Sequence, residues 1–516
     1  MTSFDLMELI GKAHDDYILK ARVRPDKKPW WPKALAAVLA LVLFASGARY
    51  LVLPFVGMGG SEAEMESAAA EAPAAPEAAP EEAPAEEAAP EGEMPAADAT
   101  METTDYGSVE LLAMASYPEK IGYEDYEAQS DRWKENQVSD ATDYAVNTFS
   151  YKTAAAVLSG TEESSCFSPL SLYHTLAVLC SGAEGNTQTQ LLSLLGMPDA
   201  DTLSSEIARL YRLNHQDDEV NILKIANSLW LDNELSDGTV MEYDPAWLIT
   251  AAADYYAEVY AADFSSPETT EALGNWISRM TGGNLQPNGE EMGISQDTVM
   301  SIVNTLWYKT QWADKFSEKY TSPDLFTLSD GTEAECEFMH KTDSAHSAIV
   351  TEEYTKSYIR LDGGARMIFV LPQEGVDVMS LVREEKLTEI FENGNYSDAD
   401  VVWSVPKFET TVTYELEETL KALGITDAFD MFAADFSPMT ESASLFLSSV
   451  RQGTHIAVNE DGVEAAAWSM AGMEAAEAAP EEMPTVEMNL SRPFLYLITA
   501  QDGSNLFLGV VQNPVE

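Results

Sequence analysis

The stretch Asn459–Thr485, NEDGVEAAAWSMAGMEAAEAAPEEMPT, decides how the C-terminal half of this chain is read. Strand-like runs flank it, LFLSSVRQGTHIAV (445–458) before and PFLYLITAQDGSNLFLGVVQ (493–512) after. Both are apolar enough to be buried strands bounded by turn signals. The alanine-rich, acidic stretch between them fits a slack linker, a surface helix, or a segment that changes structure. The same chain holds a linker of similar composition, SEAEMESAAAEAPAAPEAAPEEAPAEEAAPEGEMPAADATMETT (61–104), which proline interrupts every few residues. Between Gly462 and Ala479 there is no proline; it first returns at Pro480. Every position there keeps the backbone N–H that a β-ladder needs.

The chain of 516 residues is 45% apolar, which suits one large domain with appendages. Its 87 acidic against 29 basic residues give a net charge of −58. That balance argues against a nucleic-acid partner, because phosphate binding needs a basic surface. Three cysteines, Cys166, Cys180 and Cys336, are too few and too odd in number for a disulfide framework. Cys166 and Cys180 read as opposite ends of one helix, roughly 20 Å apart and beyond bridging distance. All three are read as buried apolar thiols. No GxSxG elbow, HExxH or P-loop occurs, so no catalytic residue and no cofactor is assigned. His340 and His346 are not spaced to share one helical face, so no metal site is assigned. His174, on an apolar helix, reads as a satisfied core histidine.

Along the chain, residues 1–33 read as a cytoplasmic tail and 34–58, ALAAVLALVLFASGARYLVLPFVGM, as a transmembrane anchor. Basic residues with Trp30 and Trp31 precede the apolar run, and 59–104 are almost free of them. The positive-inside rule then places the N-terminus in the cytoplasm and everything after Gly59 outside. The competing reading is a signal peptide, since SGA before Arg49 resembles a cleavage site; the leader is long for one. Residues 59–104 form the disordered Ala/Glu/Pro linker, and the polar, aromatic 105–139 a juxtadomain segment. From Asp140 onward helices and strands alternate densely. SPLSLYHTLAVLCSGA opens with a Ser/Pro helix start and is apolar nearly all round, as a buried central helix would be. DYAVNTFSYKTAAAVLS has helical spacing, while NILKIANSLWLD, TVMSIVNTLWYKTQW and ARMIFVLPQ read as interior strands. The fold class is α+β, with helices around large sheets.

Seven blocks occur in serpin order: CFSPLSLYHTLAVLCSGAEGNTQTQLLSLLG, NWISRMTGGNL, VNTLWYKTQWADKF, VPKFETTVTYELEETLKALGITDAFD, ADFSPMT, VNEDGVEAAA and RPFLYLI with LFLGVVQNP. Residues 140–516 thus resemble a serpin, and the anchor with its spacer is similar to an envelope-displayed bacterial member. The resemblance implies a serpin fold with a large central sheet, further sheets, surrounding helices and an exposed reactive loop. It also implies a suicide mechanism, in which the loop is cleaved and inserts as a strand while the protease is trapped covalently. Implied hinge residues are Glu460, Gly462, Val463, Glu464, Ala465, Ala466 and Ala467. Ser168, Ser171 and Asn304 correspond to the polar cluster that lets the central strands part, and Trp312 to the point where the loop enters. Gln452 stands where the family often has histidine, which alters the bonding there.

As a strand, the loop would turn Val463, Ala465, Ala467, Ser469, Ala471 and Met473 to one face, all small or apolar. Glu464, Ala466, Trp468, Met470, Gly472 and Glu474 would occupy the other. Counting from the hinge glutamate puts the reactive bond at Ala476–Glu477, with Met473 a second candidate; counting back from RPFLYL gives Glu482–Met483. No Lys or Arg lies between Asn459 and Ser491, so the partner implied is an elastase-like or subtilisin-like serine protease. The alternative is a non-inhibitory serpin-fold protein for binding or display on the cell envelope.

Overall fold

The computed structural model describes residues 108–235, 238–287, 295–463 and 483–515. All fall in the second of two units, 98–516. The expected anchor at 34–58 and linker at 59–104 lie outside the described residues, as do Glu464, Ala465, Ala466, Ala467, Met473, Ala476 and Glu477. Among the described residues, no helix is long and apolar enough to cross a membrane.

Seventeen described strands follow in chain order. The first six are β1 (Val109–Ala113), β2 (Ser165–Phe167), β3 (Gln216–Asp217), β4 (Ile222–Asp232), β5 (Ala257–Ala262) and β6 (Met300–Gln311). Next come β7 (Ser322–Thr327), β8 (Glu333–Val350), β9 (Tyr354–Arg360), β10 (Arg366–Pro372), β11 (Ser397–Pro406) and β12 (Phe408–Glu415). The last five are β13 (Ser449–Val458), β14 (Gly462–Val463), β15 (Thr485–Asn489), β16 (Phe494–Thr499) and β17 (Asn505–Val511). An eight-stranded sheet runs β1-β5-β4-β6-β14-β13-β12, with β3 beside β4. A nine-stranded sheet runs β15-β11-β8-β9-β10-β16-β17-β2, with β7 beside β8.

The helix Pro169–Ser181 packs between the sheets, against β17 on one side and β4 and β6 on the other. Every residue from Pro169 to Cys180 is buried, which is why its sequence carries no charged residue and its Ser171 and Thr175 hydroxyls face buried partners. Ser168 caps it by accepting from the Ser171 N–H, and Pro169 occupies the first turn, where its missing donor costs nothing. The helix Pro267–Met280 covers the opposite face of the eight-stranded sheet. There Leu273, Trp276, Ile277 and Met280 join Leu285, Val303 and Trp230 in a separate apolar cluster.

Cys166 belongs to β2 and not to the helix that holds Cys180, because the chain enters that helix only at Pro169. All three cysteines are free and buried. His174 is buried but not satisfied: its Nε2 lacks a hydrogen-bond partner, and burial lowers its pKa to about 3. The helical-face argument for His340 and His346 does not apply, since both lie on β8. His340 instead bonds the Ser404 hydroxyl at 3.0 Å, and His346 the Tyr358 carbonyl at 2.7 Å.

The segment before Asp140 is more than a tether. β1 pairs antiparallel with β5 and extends the eight-stranded sheet at its edge. Tyr117 then stacks on Tyr211 and His215, and the helix Tyr126–Glu135 sends Arg132 to the His215 carbonyl at 3.0 Å.

Candidate functional site

β6 and β13 run parallel and pair directly from Ser301↔Ser449 to Thr305↔Gly453. Above that level they part. β13 turns back at Asn459–Asp461, and β14 enters between the two strands, pairing Gly462 with Gln311, Val463 with Thr310, and Val463 with Val458. Among the described residues, 306–309 of β6 and 454–457 of β13 have no ladder pair with each other. The eight-stranded sheet is thus closed below, wedged open above, and unzipped between.

The wedge is held firmly. The Asn459 side chain accepts from the Asp461 and Gly462 N–H groups, fixing the turn. Trp312 donates its indole N–H to the Asn459 carbonyl at 2.8 Å and its backbone N–H to the Asp461 carbonyl at 2.9 Å. Phe316 N–H donates to the Glu460 carbonyl, and Lys315 pairs with Asp461 at 2.8 Å. Burial by itself would raise the Glu460 carboxyl. The Thr321 hydroxyl at 2.8 Å and the Lys407 ammonium at 3.3 Å outweigh it and hold the pKa below the ordinary glutamate value. Glycine at 462 is required by space: a Cβ there would stand 2.2 Å from the Thr310 carbonyl oxygen and 2.6 Å from Gln311 Cα.

Lower down, Ser168, Ser171, Asn304 and Gln452 meet where β6 touches β13. Asn304 and Gln452 are direct cross-strand partners. Asn304 accepts from the Ser171 hydroxyl and from Gln452 Nε2, the latter at 3.2 Å. Its own amide donates to Asn227 Oδ1 at 2.9 Å and to the Ala226 carbonyl. Gln452 also accepts from the Ser168 N–H at 3.1 Å and donates to the Ser168 carbonyl at 2.9 Å. An amide supplies an acceptor and two donors at once, so glutamine ties the helix start to both strands. Thr175 completes the cluster through Asn227 at 2.9 Å.

The structure therefore brings Ser168, Ser171, Asn304 and Gln452 into one buried network, and Trp312, Glu460, Gly462 and Val463 into the wedge above it. Sequence reasoning missed Asn227, Thr175, Thr321, Lys315 and Lys407, whose parts depend on partners far away in the chain. No local pattern marks them. Among the described residues, no cluster of His, Cys, Asp or Glu could hold a metal ion.

Known proteins are similar to this chain in sequence and in fold. A family model described as Serpin (serine protease inhibitor) matches residues 144–514. Serpin B11 of Mus musculus is 28% identical over 364 residues, covering 67% of this chain and 92% of that protein. Leukocyte elastase inhibitor of Xenopus laevis is 28% identical over 359 residues, covering 67% and 92%. The crystal structure of a thermophilic serpin, tengpin, in the native state superposes with a TM-score of 0.65 at 24% identity, covering 79% of this chain and all of that one. The match over nearly all of the folded unit means that the chain belongs to the serpin family.

Proposed function

We propose that this protein inhibits serine proteases of elastase-like or subtilisin-like specificity as a suicide substrate, displayed outside the cell by its N-terminal anchor. The observation that carries the reading is β14: Gly462 and Val463 already lie as the first residues of a strand between β6 and β13. Continuing that register pairs Ala465 with Tyr308, Ala467 with Leu306, Ser469 with Asn304 and Met473 with Met300. Residues directly opposite in an antiparallel pair share a face. The small residues would therefore lie against the central helix, and the one hydroxyl among them, Ser469, would land between Asn304 and Gln452. Insertion would break the short β6–β13 ladder and replace it with two longer ones, a net gain on the order of 10 kcal/mol in hydrogen bonds.

The same register bears on the bond attacked. Met473 would reach Met300, where β6 begins, so a break at Ala476–Glu477 leaves only a short tether to the captured protease. A break at Glu482–Met483 leaves a slack one, which transmits less distortion. Resemblance to a leukocyte elastase inhibitor and the lack of Lys or Arg around the loop support a small apolar recognition pocket in the target.

The test incubates full-length protein with an elastase, followed by a denaturing gel and a melting curve. A complex that survives denaturation, with a large rise in Tm of the cleaved inhibitor, is expected. Clean cleavage with no complex and no rise in Tm would leave a serpin-fold binding or display protein instead.

A further inference from the structure

The helix Tyr126–Glu135 has no buried residue, although Arg132 ties it to the folded body. Its Tyr126, Gln129, Ser130 and Trp133 recur at i, i+3, i+4 and i+7, the stripe that an ordinary packed helix fills with apolar side chains. Here that stripe lines a cavity of about 450 Å³, within the range of small-molecule sites. His215, Asp217, Asp218 and Asn221, from the connection between the helix Ala200–Asn214 and β4, line it too, as does Asp362 between β9 and β10. The stripe precedes the matched residues 144–514, so the cavity combines the serpin domain with the segment before it. Nothing in the hinge or the polar network uses it.

We propose that this cavity binds a short neutral saccharide. A sugar ring has an apolar C–H face and a rim of hydroxyls. Tyr126 and Trp133, both exposed, share one helix face about 10 Å apart along its axis, two rings on which such faces can stack. The carboxylates already hold donors of their own. Asp217 pairs with Lys120 at 3.0 Å, Asp218 accepts from the Val220 and Asn221 N–H groups at 2.8 and 2.7 Å, and Asp362 from the Asn221 amide at 3.3 Å. They offer hydroxyls their remaining lone pairs, and not a bare charge that calls for a cation. A sulfated or otherwise anionic sugar would meet three carboxylates. His215, 4% exposed, lines the cavity with an Nδ1 that has no partner among the described residues. Its ring is fixed by stacking on Tyr117 and Tyr211, and burial beside the Arg132 charge keeps it neutral, with a pKa of about 4. A hydroxyl satisfies that nitrogen in either tautomer, because it both donates and accepts; an ammonium or a sulfate can do so in only one. Arg132 itself is occupied by the His215 and Glu119 carbonyls, which fixes the helix and its stripe over the cavity. Binding there requires no cleavage of the loop.

The test mixes full-length protein in turn with cellobiose, maltotriose and N,N′-diacetylchitobiose and reads binding by saturation-transfer NMR. At least one should bind, with a Kd on the order of 1 mM. Spermidine and a chondroitin sulfate disaccharide should not. Trp133→Ala and Tyr126→Ala remove exposed side chains, so each should keep the wild-type Tm while weakening that saccharide roughly five- to tenfold. Tyr126→Phe keeps the ring and should bind within about twofold of wild type. If none of the three saccharides binds, or the alanine variants bind as tightly as wild type, the assignment is wrong. Binding of spermidine or of the sulfated sugar in place of the neutral ones also overturns it.

Discussion

At Gly462 the hinge passes so close to β6 that a methyl group would overlap backbone atoms. Gly462→Val should therefore unseat β14 and lose its ladder bonds, a penalty on the order of 2 kcal/mol. The expected outcome is a shift from trapped complex toward cleaved inhibitor on a denaturing gel with elastase, at unchanged rate of loop cleavage. Wild-type partitioning would mean that the seat is dispensable. Asn304 offers a different test, because all its hydrogen-bonding capacity is spent on Ser171, Gln452, Asn227 and Ala226. Asn304→Ala strands several buried polar groups and should lower stability by about 2–4 kcal/mol in urea unfolding. A loss under 1 kcal/mol would show that its neighbours can re-pair.

Among the elements, the central helix, β4, β6 and β10 were legible from sequence, since each carries its periodicity in a contiguous run. Cys166 was misplaced because the three residues of β2 are as apolar as the helix after them, and only Pro169 marks the boundary. β1 and the helix Tyr126–Glu135 were not legible as part of the folded body. They are half exposed, and what orders them is β5 for the strand and the His215 carbonyl for Arg132 of the helix, more than eighty residues away. The gap between β6 and β13 is likewise a matter of non-local register. Gly462 could be read as a hinge from its motif, but its collision with Thr310 could not. Removing residues 108–136 should bare the edge of β5 and leave Tyr211 and His215 without their cover. Faster hydrogen exchange in Ala257–Ala262 and a lower Tm are expected; unchanged protection there would mean that β1 adds nothing to the sheet.

For the molecule as a whole, two buried histidines set a response to acid. Burial lowers His174 to about 3; burial and the neighbouring Arg132 charge lower His215 to about 4. Both titrate near 6.5 when unfolded, so the unfolded chain binds the extra protons as pH falls. Stability is thus complete above pH 6.5 and is lost progressively toward pH 4, by roughly 2 kcal/mol per histidine on reaching pH 5. Asp143, which burial raises to about 6, acts in the opposite direction. Urea unfolding at pH 7, 6 and 5 should show the net decline, and His215→Gln should remove more than half of it, because Asp143 offsets part of the remainder; a slope unchanged by that substitution would exclude the histidine as its source.

Under the N-terminal anchoring proposed above, the β1–β5 pair would take on a mechanical meaning. Tension from residues before Ser108 would load the outer edge ladder first, with β5, β4 and β6 between that ladder and the slot. A pull on the tether would then be absorbed by a replaceable edge strand, and the spring at the centre of the sheet would stay cocked.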